Sequence, residues 1–281
     1  MVGIHRKVAG PLLTPEERRL LDALLDQTAL ATDRVLLAKD VDQTRMLAET
    51  ERLRTALLTS VGHDLKTPLA SILGTITALR SFGTLYDDAT RDEMLGTAQE
   101  EAERLARFVG NLLDMTRLEA GAVGPKREAV DLADAVGTAL RRTSRLLAGH
   151  RVATDLPAAL PLVRLDFVLL EQVLVNLFEN AARYAPKGST VEIVGREADG
   201  MVQLEVRDRG PGIAEEELER VFDRFYRGPG AAGTGGAGLG LAVARGFVDA
   251  MGGEIQALPR SEGGTTFRVT FPRHLVEGAE A

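Results

Sequence analysis

The chain has 281 residues, a length for which about two domains are expected. Hydrophobic residues make up 44% and charged residues 27%, and the formal net charge is −7. Nonspecific binding to nucleic acid or anionic lipid needs a basic face, so this charge argues against both. The absence of cysteine excludes disulfides and thiolate metal sites, and four scattered histidines argue against a His-rich zinc site.

No segment has the pattern of a membrane span. The most apolar stretch, residues 160–178, contains Arg164, Asp166 and Glu171, whereas a span needs about 20 nearly uncharged residues. The N-terminus lacks a secretory pattern. We therefore expect a cytoplasmic chain as given, attached to a membrane only through segments that it does not contain.

The first predicted element is a long helix over residues 14–62. Thr14 and Pro15 are typical of a helix start, as N-cap and first helical residue, and acidic residues follow them in the first turn. Residues 39–54 are mostly polar, which is typical of an exposed or coiled-coil connector.

Two apolar stripes with heptad-like spacing follow. In the second stripe the spacings alternate between three and four, which predicts a coiled-coil seam: Leu95, Ala98, Ala102, Leu105, Val109, Leu112 and Thr116. The first stripe has one extra residue beside Pro68, where we expect the helix to bend: Leu58, Val61, Leu65, Leu69, Ile72, Ile76 and Leu79. Residues 81–84 should end the first helix, and Asp87 should begin the second.

These helices should form an antiparallel hairpin whose seams are too narrow to be buried within one copy. Two copies would form a four-helix bundle, so we predict a homodimer through residues 55–120. The alternative is a monomeric helical pair packed on the rest of the chain.

Beyond the linker at residues 121–125 the pattern becomes mixed. Three helices are predicted, over residues 131–147, 166–185 and 239–251. Four strands are predicted, over residues 191–194, 202–206, 254–258 and 266–271. This order favours an α+β domain with a helix layer on a mixed sheet.

One histidine lies off the first seam. His63 is two residues from both Val61 and Leu65, about 200° around the helix from each. A lone helical histidine is usually an ordinary surface residue. Here Asp64 adjoins it and can orient one imidazole nitrogen, which leaves the other as a nucleophile. Thr67 shares its face, and Pro68 loosens the helix beside it.

A polar face on the helix over residues 166–185 is the first candidate for a nucleotide site. Asn176, Glu179, Asn180 and Arg183 share that face, and their oxygens suit hydrated Mg²⁺. An ordinary polar helix face is the alternative. Asp208 follows a predicted strand, where its carboxylate is able to accept a hydrogen bond from the amino group of adenine. The alternative is a simple turn, since Asp and Gly are typical of turns.

A glycine-rich loop over residues 228–240 opens the last helix, where free N–H groups and the helix dipole favour phosphate. It contains a dinucleotide-type glycine spacing, but no preceding strand supports that interpretation. The aromatic residues at 222, 225 and 226 are more often core than functional. A flexible loop is the alternative for each glycine cluster taken singly.

Together, these segments resemble the sensor histidine kinases of two-component systems. Residues 60–69 resemble their H box, and residues 176–184, 208–213, 221–227 and 228–241 resemble the N, G1, F and G2 boxes of the Bergerat-type ATP-binding domain. The resemblance implies a dimeric four-helix bundle followed by an α/β-sandwich of that type. It implies His63 as phospho-acceptor, Asp64 as the assisting acid, and Thr67 as the residue that positions water for dephosphorylating a partner.

The resemblance also assigns ATP and Mg²⁺ as cofactors. Asn180 and Asn176 would hold Mg²⁺, Glu179 would act near the γ-phosphate, and Asp208 would read adenine. Further nucleotide contacts are assigned to Arg183, Tyr184, Gly210, Gly212, Arg224, Gly236, Gly238, Leu239, Gly240 and Thr265. The family most often has Lys at the position of Arg183, so the charge is retained and the geometry is not.

The implied activity is autophosphorylation of His63 and transfer to an aspartate of a cognate response regulator, with phosphatase activity toward that regulator. The implied division is a signalling linker over 1–50 that resembles the tail of a GAF-type domain, a dimerisation domain over 51–122, an ATP-binding domain over 123–275, and a tail over 276–281. Residues 47–60 resemble the Kdp-type potassium sensors, which implies the cytoplasmic portion of an inner-membrane sensor. The alternatives are an ATP-driven conformational machine and a non-enzymatic scaffold.

Overall fold

The computed structural model describes residues 14–16, 18–27, 62, 65–198, 200–228, 238–272 and 275. The chain divides into two compact units, residues 1–60 and residues 61–281. In the first unit, residues 15–16 and 18–27 are helical, and the Arg18 N–H donates to the Thr14 carbonyl at 3.0 Å. This is the predicted helix start; the remainder of the predicted helix to residue 62 lies outside the described residues, apart from residue 62 itself, which is helical. No helix among the described residues is long and apolar enough to cross a membrane.

The second unit begins with a helical hairpin. Helix α1 covers residues 65–82 and continues through Pro68, and helix α2 covers Asp88–Glu119. The Asp87 side chain caps α2 by accepting a hydrogen bond from the Thr90 N–H at 2.8 Å. The predicted break at residues 81–84 and the predicted start at Asp87 are both confirmed.

A mixed α/β domain follows the hairpin. Its helices are α3 (Leu132–Arg142), α4 (Ser144–Leu147), α5 (Phe167–Tyr184) and α6 (Gly240–Met251). Its strands are β1 (Glu128–Val130), β2 (Arg151–Asp155), β3 (Val163–Leu165), β4 (Thr190–Ala198), β5 (Met201–Arg207), β6 (Glu254–Pro259) and β7 (Thr265–Phe271). Short 3₁₀ turns at Glu215–Glu217 and Arg220–Phe222 lie between β5 and α6.

The main sheet has the order β2-β4-β5-β7-β6. Strands β2 and β4 are parallel, the other pairs are antiparallel, and β1 and β3 form a separate antiparallel pair. The four predicted strands are present, but β1, β2 and β3 were not predicted. Every residue of the edge strand β2 is exposed, so β2 carries no alternating apolar signal. The helix predicted over residues 131–147 is interrupted at Thr143, whose hydroxyl donates to the Ala139 carbonyl at 2.8 Å.

The core lies between the helices and one face of the main sheet. In β4 every second residue from Val191 to Gly195 is buried, and α5 contacts the neighbouring strand β5. Phe178, Phe267 and Phe271 are among the largest fully buried side chains. This layer arrangement is the α+β sandwich that the sequence predicts.

An ion cluster covers the opposite face of the sheet. The Glu205 side chain is only 1% exposed, and it pairs with Arg196 at 3.1 Å, with Arg268 at 2.8 Å, and with Arg207. Burial raises the pKa of Glu205, but hydrogen bonds from Arg207 and Arg268 and the nearby arginine charges outweigh it, so the pKa lies below its usual value.

The end of α2 packs on the α/β domain. Met115 is buried, and the Leu118 side chain covers Gly246 of α6, where an added Cβ would lie 2.5 Å from Leu118 Cδ1. Glu119 forms an ion pair with Arg224. These contacts place the flank of α2 beside the loops that follow β5, which is where the candidate site lies.

Candidate nucleotide site at the hairpin

A cleft of about 230 Å³ lies between α5, the end of β5, the start of β7, the start of α6 and the hairpin. It brings together residues from every box-like segment of the domain. The predicted site residues that line it are Asn176, Glu179, Asn180, Arg183, Tyr184, Asp208, Gly212, Gly238, Leu239, Gly240 and Thr265.

Helix α5 supplies the polar wall. Its start is fixed by Asp166, whose carboxylate accepts hydrogen bonds from the Val168 and Leu169 N–H groups at 3.0 and 3.2 Å. Asn176 is buried, and its Nδ2 has no hydrogen-bond partner among the described residues. A buried amide donor without a partner is costly, so a ligand oxygen at this point would stabilise it.

Glu179 is the acidic group of this wall. Its side chain is 14% exposed, and Arg107 of α2 lies 3.3 Å from it, Nε to Oε1. Burial raises the pKa of Glu179, and the charges of Arg107, Arg183 and Arg142 oppose that rise only in part. The described residues include no group of three or more His, Asp or Glu side chains that could hold a metal ion. A cation here would therefore depend on amide oxygens, on Glu179 and on oxygens of the ligand.

Asp208 lies at the end of β5 and is buried. Its Oδ1 accepts hydrogen bonds from the Gly210 N–H at 2.7 Å and from the Thr265 N–H at 3.3 Å. Burial raises the pKa of Asp208, and these two hydrogen bonds oppose the rise. Because both bonds fall on Oδ1, Oδ2 accepts none from the described residues and is available to a donor such as an amino group.

Close backbone approach around Asp208 depends on glycine. An added Cβ at Gly210 would lie 3.0 Å from the Tyr184 carbonyl oxygen, and at Gly264 it would overlap the Asp208 carbonyl oxygen. Gly264 also has a φ of +94°, which side chains rarely adopt.

A backbone hydrogen bond joins the segment before the glycine-rich loop to Gly238 within that loop. The Phe225 N–H donates to the Gly238 carbonyl at 2.9 Å, and both residues have positive φ, +60° and +67°. An added Cβ at Gly238 would lie 2.6 Å from the Tyr226 carbonyl oxygen. The Tyr226 hydroxyl in turn donates to Glu217 at 2.7 Å. Gly236, with the rest of residues 229–237, lies outside the described residues.

Two predicted nucleotide contacts lie elsewhere. Arg224 does not line the cleft and instead forms an ion pair with Glu119 of α2. Gly210 is also outside the lining residues, and its N–H instead orients the Asp208 carboxylate. His63 and Asp64 lie outside the described residues, and Thr67 is exposed and not part of the cleft wall.

The hairpin contributes a wall that sequence reasoning missed. Its members come from α1 and α2: Pro68, Arg104, Leu105, Arg107, Phe108 and Asn111. Leu105 was assigned to the dimer seam, yet it lines the cleft, because α2 meets the α/β domain on a face next to the seam. In the sequence, the signal for this contact is that Arg104 and Arg107 lie off the predicted seam of α2.

Two family models match most of the residues that form the hairpin and the α/β domain. Residues 53–121 match the His Kinase A (phospho-acceptor) domain, and residues 165–275 match the histidine kinase-, DNA gyrase B-, and HSP90-like ATPase family. The order of the two domains, with the cleft described above, is that of a sensor histidine kinase. The chain belongs to this family.

Two curated relatives are similar to most of this chain. The chain is 36% identical to the sensor protein KdpD of Clostridium acetobutylicum over 269 residues, which is 95% of this chain and 30% of that protein. It is 34% identical to the sensor-like histidine kinase SenX3 of Mycobacterium tuberculosis over 229 residues, which is 80% of this chain and 55% of that protein. The chain thus spans about a third to a half of the relatives that it matches.

A solved structure shares the fold. Full-length ShkA in complex with AMPPNP has a TM-score of 0.56 and 27% identity, and the match covers 77% of this chain and 45% of ShkA.

Proposed function

We propose that this chain phosphorylates His63 with ATP and Mg²⁺, and that the phosphoryl group then passes to an aspartate of a response regulator. The observation that carries the proposal is the composition of the cleft wall. Side chains of α5 and the G1-box-like segment share this wall with Pro68, which follows His63 by five positions. If the predicted helix extends through this stretch, five residues correspond to about 7.5 Å along its axis. Membership of the histidine kinase family and the AMPPNP bound to ShkA also support ATP as donor.

The residues present fit a nucleotide with its metal ion. Asn180 and Asn176 would hold Mg²⁺, which would neutralise charge on the phosphates and align them. The unpartnered amide of Asn176 supports a ligand oxygen at this wall. Asp208 Oδ2 would accept a hydrogen bond from the amino group of adenine. Arg183 and Tyr184 line the same cleft.

The transfer itself would be mainly positioning. An imidazole nitrogen of His63 would attack the γ-phosphorus, the bond from that phosphorus to the bridging oxygen would break, and ADP would leave. Asp64 would stabilise the imidazole as its N–H becomes acidic. Glu179 lies on the wall where the γ-phosphate would lie, beside Arg107.

An unpartnered apolar surface supports the homodimer through residues 55–120. Several large apolar side chains of the hairpin are 40% exposed or more: Leu69, Leu73, Ile76, Leu95, Val109 and Leu113. A second hairpin would cover them, as in four-helix bundles. We retain the boundaries at residues 50, 122 and 275 and the origin in an inner-membrane, Kdp-type sensor as part of this proposal.

Phosphatase activity toward the regulator is the finer part of the proposal. Thr67 is exposed on α1 next to Pro68, so a partner docked on the hairpin would have access to it. A Thr67→Ala variant that still labels but no longer accelerates loss of phosphate from the regulator would support this role. Unchanged loss would contradict it.

Labelling with γ-³²P ATP tests the main proposal. We expect acid-labile, base-stable label on the wild-type chain, none on His63→Gln, and full label on the matched control His5→Gln. ATP turnover without label on the protein would favour a conformational machine of the same ATPase fold. Absence of ATP binding would favour a non-enzymatic scaffold, and either result would overturn the proposal.

A further inference from the structure

We propose that Arg260 is a positioning residue. It fixes the backbone of Asp208 just beyond the end of β5 and thereby sets the base specificity of the nucleotide site. This inference rests on the proposed ATP binding and adds a residue that none of the box motifs contains. Arg260 directly follows β6, in the turn toward β7, and only 14% of its side chain is exposed. A nearly buried arginine is costly unless it is paired, so its partners are informative.

The guanidinium joins two elements. Arg260 Nη1 donates to the backbone carbonyl of Asp208 at 3.0 Å, and Nη2 donates to the Glu192 carboxylate of β4 at 3.3 Å. The last residue pair between β5 and β7 is Arg207 with Thr266, so Asp208 lies just beyond the ladder. Arg260 therefore holds the backbone at the point where regular strand pairing ends.

This contact complements the two bonds that Asp208 makes with Thr265. The Asp208 N–H donates to the Thr265 carbonyl at 2.9 Å, and Asp208 Oδ1 accepts from the Thr265 N–H at 3.3 Å. The Asp208 carbonyl is the remaining backbone group, and Arg260 fixes it. With the N–H, the carbonyl and Oδ1 all held, the position of Oδ2 is determined. Without Arg260 the carbonyl loses its hydrogen bond, so the backbone that leads to Gly210, whose N–H holds Oδ1, is restrained less tightly, and so is Oδ2.

The positive charge of Arg260 also favours the form of Asp208 that accepts hydrogen bonds. Burial raises the pKa of Asp208; the N–H groups of Gly210 and Thr265 lower it, and so does the charge of Arg260. The other charged groups of this corner are Glu192, Arg207, Arg209 and Glu262, which pair with one another or with Arg260. Loss of Arg260 raises the pKa of Asp208 further, so a larger share of the carboxyl is protonated.

Protonation reverses what the carboxyl group recognises. The ionised carboxylate only accepts hydrogen bonds, which suits the amino group at C6 of adenine. The protonated form donates, which suits the carbonyl oxygen at C6 of hypoxanthine or guanine. Arg260 therefore favours adenine twice, by orienting Oδ2 and by keeping it an acceptor.

The chain offers a matched control. Arg209 pairs with the same carboxylate, Glu192, at 3.3 Å, and with Glu262 at 3.4 Å, but its guanidinium makes no bond to Asp208. Arg209→Gln and Arg260→Gln remove the same charge from the same corner and the same partner from Glu192. Only Arg260→Gln removes the hydrogen bond to the Asp208 carbonyl.

Calorimetric titration of the full chain with ATP and with ITP, in Mg²⁺ at pH 6, 7 and 8, tests the inference. For Arg260→Gln we expect ATP to bind about 10-fold more weakly while ITP changes much less, which corresponds to about 1.4 kcal/mol of lost discrimination. The loss should be larger at pH 6, since protonated Asp208 gains population as the pH falls. The KM for ATP in autophosphorylation should rise with little change in kcat. Arg209→Gln should keep the wild-type ratio of ATP to ITP affinity.

A ratio within twofold of the wild type in Arg260→Gln, or an equal change in Arg209→Gln, would overturn the inference. If Arg260→Gln shows no cooperative thermal transition, Arg260→Lys takes its place, because Lys keeps the charge and loses the paired geometry. Arg260→Lys should then weaken ATP binding at every pH without the extra loss at pH 6, and an unchanged ATP to ITP ratio would again refute the role. A wild-type chain that binds neither nucleotide would refute the proposed function instead.

Discussion

Two adjacent glycines beside the nucleotide site allow a quantitative prediction. Gly263 and Gly264 both have positive φ, +83° and +94°. At Gly263 nothing lies within 4 Å of an added Cβ, whereas at Gly264 the Cβ would overlap the Asp208 carbonyl oxygen and lie 2.8 Å from Arg209 Cα. Both neighbours at Gly264 are backbone atoms, so no side-chain rotation relieves the contact.

The structure separates two energetic costs. A non-glycine residue in the left-handed region costs about 1–2 kcal/mol, which applies to Gly263→Ala and Gly264→Ala alike. Gly264→Ala adds overpacking against backbone, about 1–3 kcal/mol more. For a domain of this size, about 2–4 °C of Tm per kcal/mol gives a loss of roughly 2–8 °C for Gly263→Ala and roughly 4–20 °C for Gly264→Ala.

Thermal unfolding of the full chain, with and without ATP and Mg²⁺, measures both effects. Gly263→Ala should retain the increase in Tm that ATP produces, because Asp208 is undisturbed. Gly264→Ala should lose most of it, because Asp208 must move away from the new methyl group. Equal Tm values for the two variants, or a full ATP effect in Gly264→Ala, would refute the reasoning.

Three further predictions concern the cleft and the sheet. Arg107→Gln should lower kcat of autophosphorylation about fivefold with little change in the KM for ATP. The ion pair with Glu179 is partly exposed, so it contributes about 1 kcal/mol to holding α2 against the α/β domain. Arg104→Gln is the control, and a higher kcat in Arg107→Gln would indicate an inhibitory contact instead. Asn180→Ala should weaken ATP binding in Mg²⁺ but not in EDTA, and equal weakening by titration would exclude a metal-ligand role. Glu205→Gln should lower the free energy of unfolding, measured by urea denaturation at pH 7, by about 2 kcal/mol, because the hydrogen bonds from Arg207 and Arg268 lose their charged acceptor. The pKa of Glu205 is depressed in the folded state, so its contribution to stability is present above the ordinary value of 4.5 and is lost as the pH falls from there through the lower pKa of the folded state. A difference between variant and wild type that does not shrink as the pH falls below 4.5 would contradict this.

The parts that sequence predicted correctly depend on short-range patterns. Heptad spacing and the Asp87 cap located the hairpin, since both are set by residues three or four apart. Helical spacing placed Asn176, Glu179 and Asn180 on one face, and all three line the cleft. Asp208 was located because a strand pattern ends just before it.

Tertiary structure decided which distant elements meet. The edge strand β2 is formed by pairing with β4 some 40 residues later and carries no apolar alternation, so no local pattern marks it. The sequence assigned Arg224 to a nucleotide contact, but the packing of α2 on the α/β domain gives it Glu119 as an ion-pair partner. The same packing brings Arg107 to Glu179. The turn after β6 brings Arg260 to Asp208, which lies 52 residues away in the sequence. Periodicity reports which face of an element is apolar, whereas these contacts depend on how whole faces pack, and that is determined only when the chain folds.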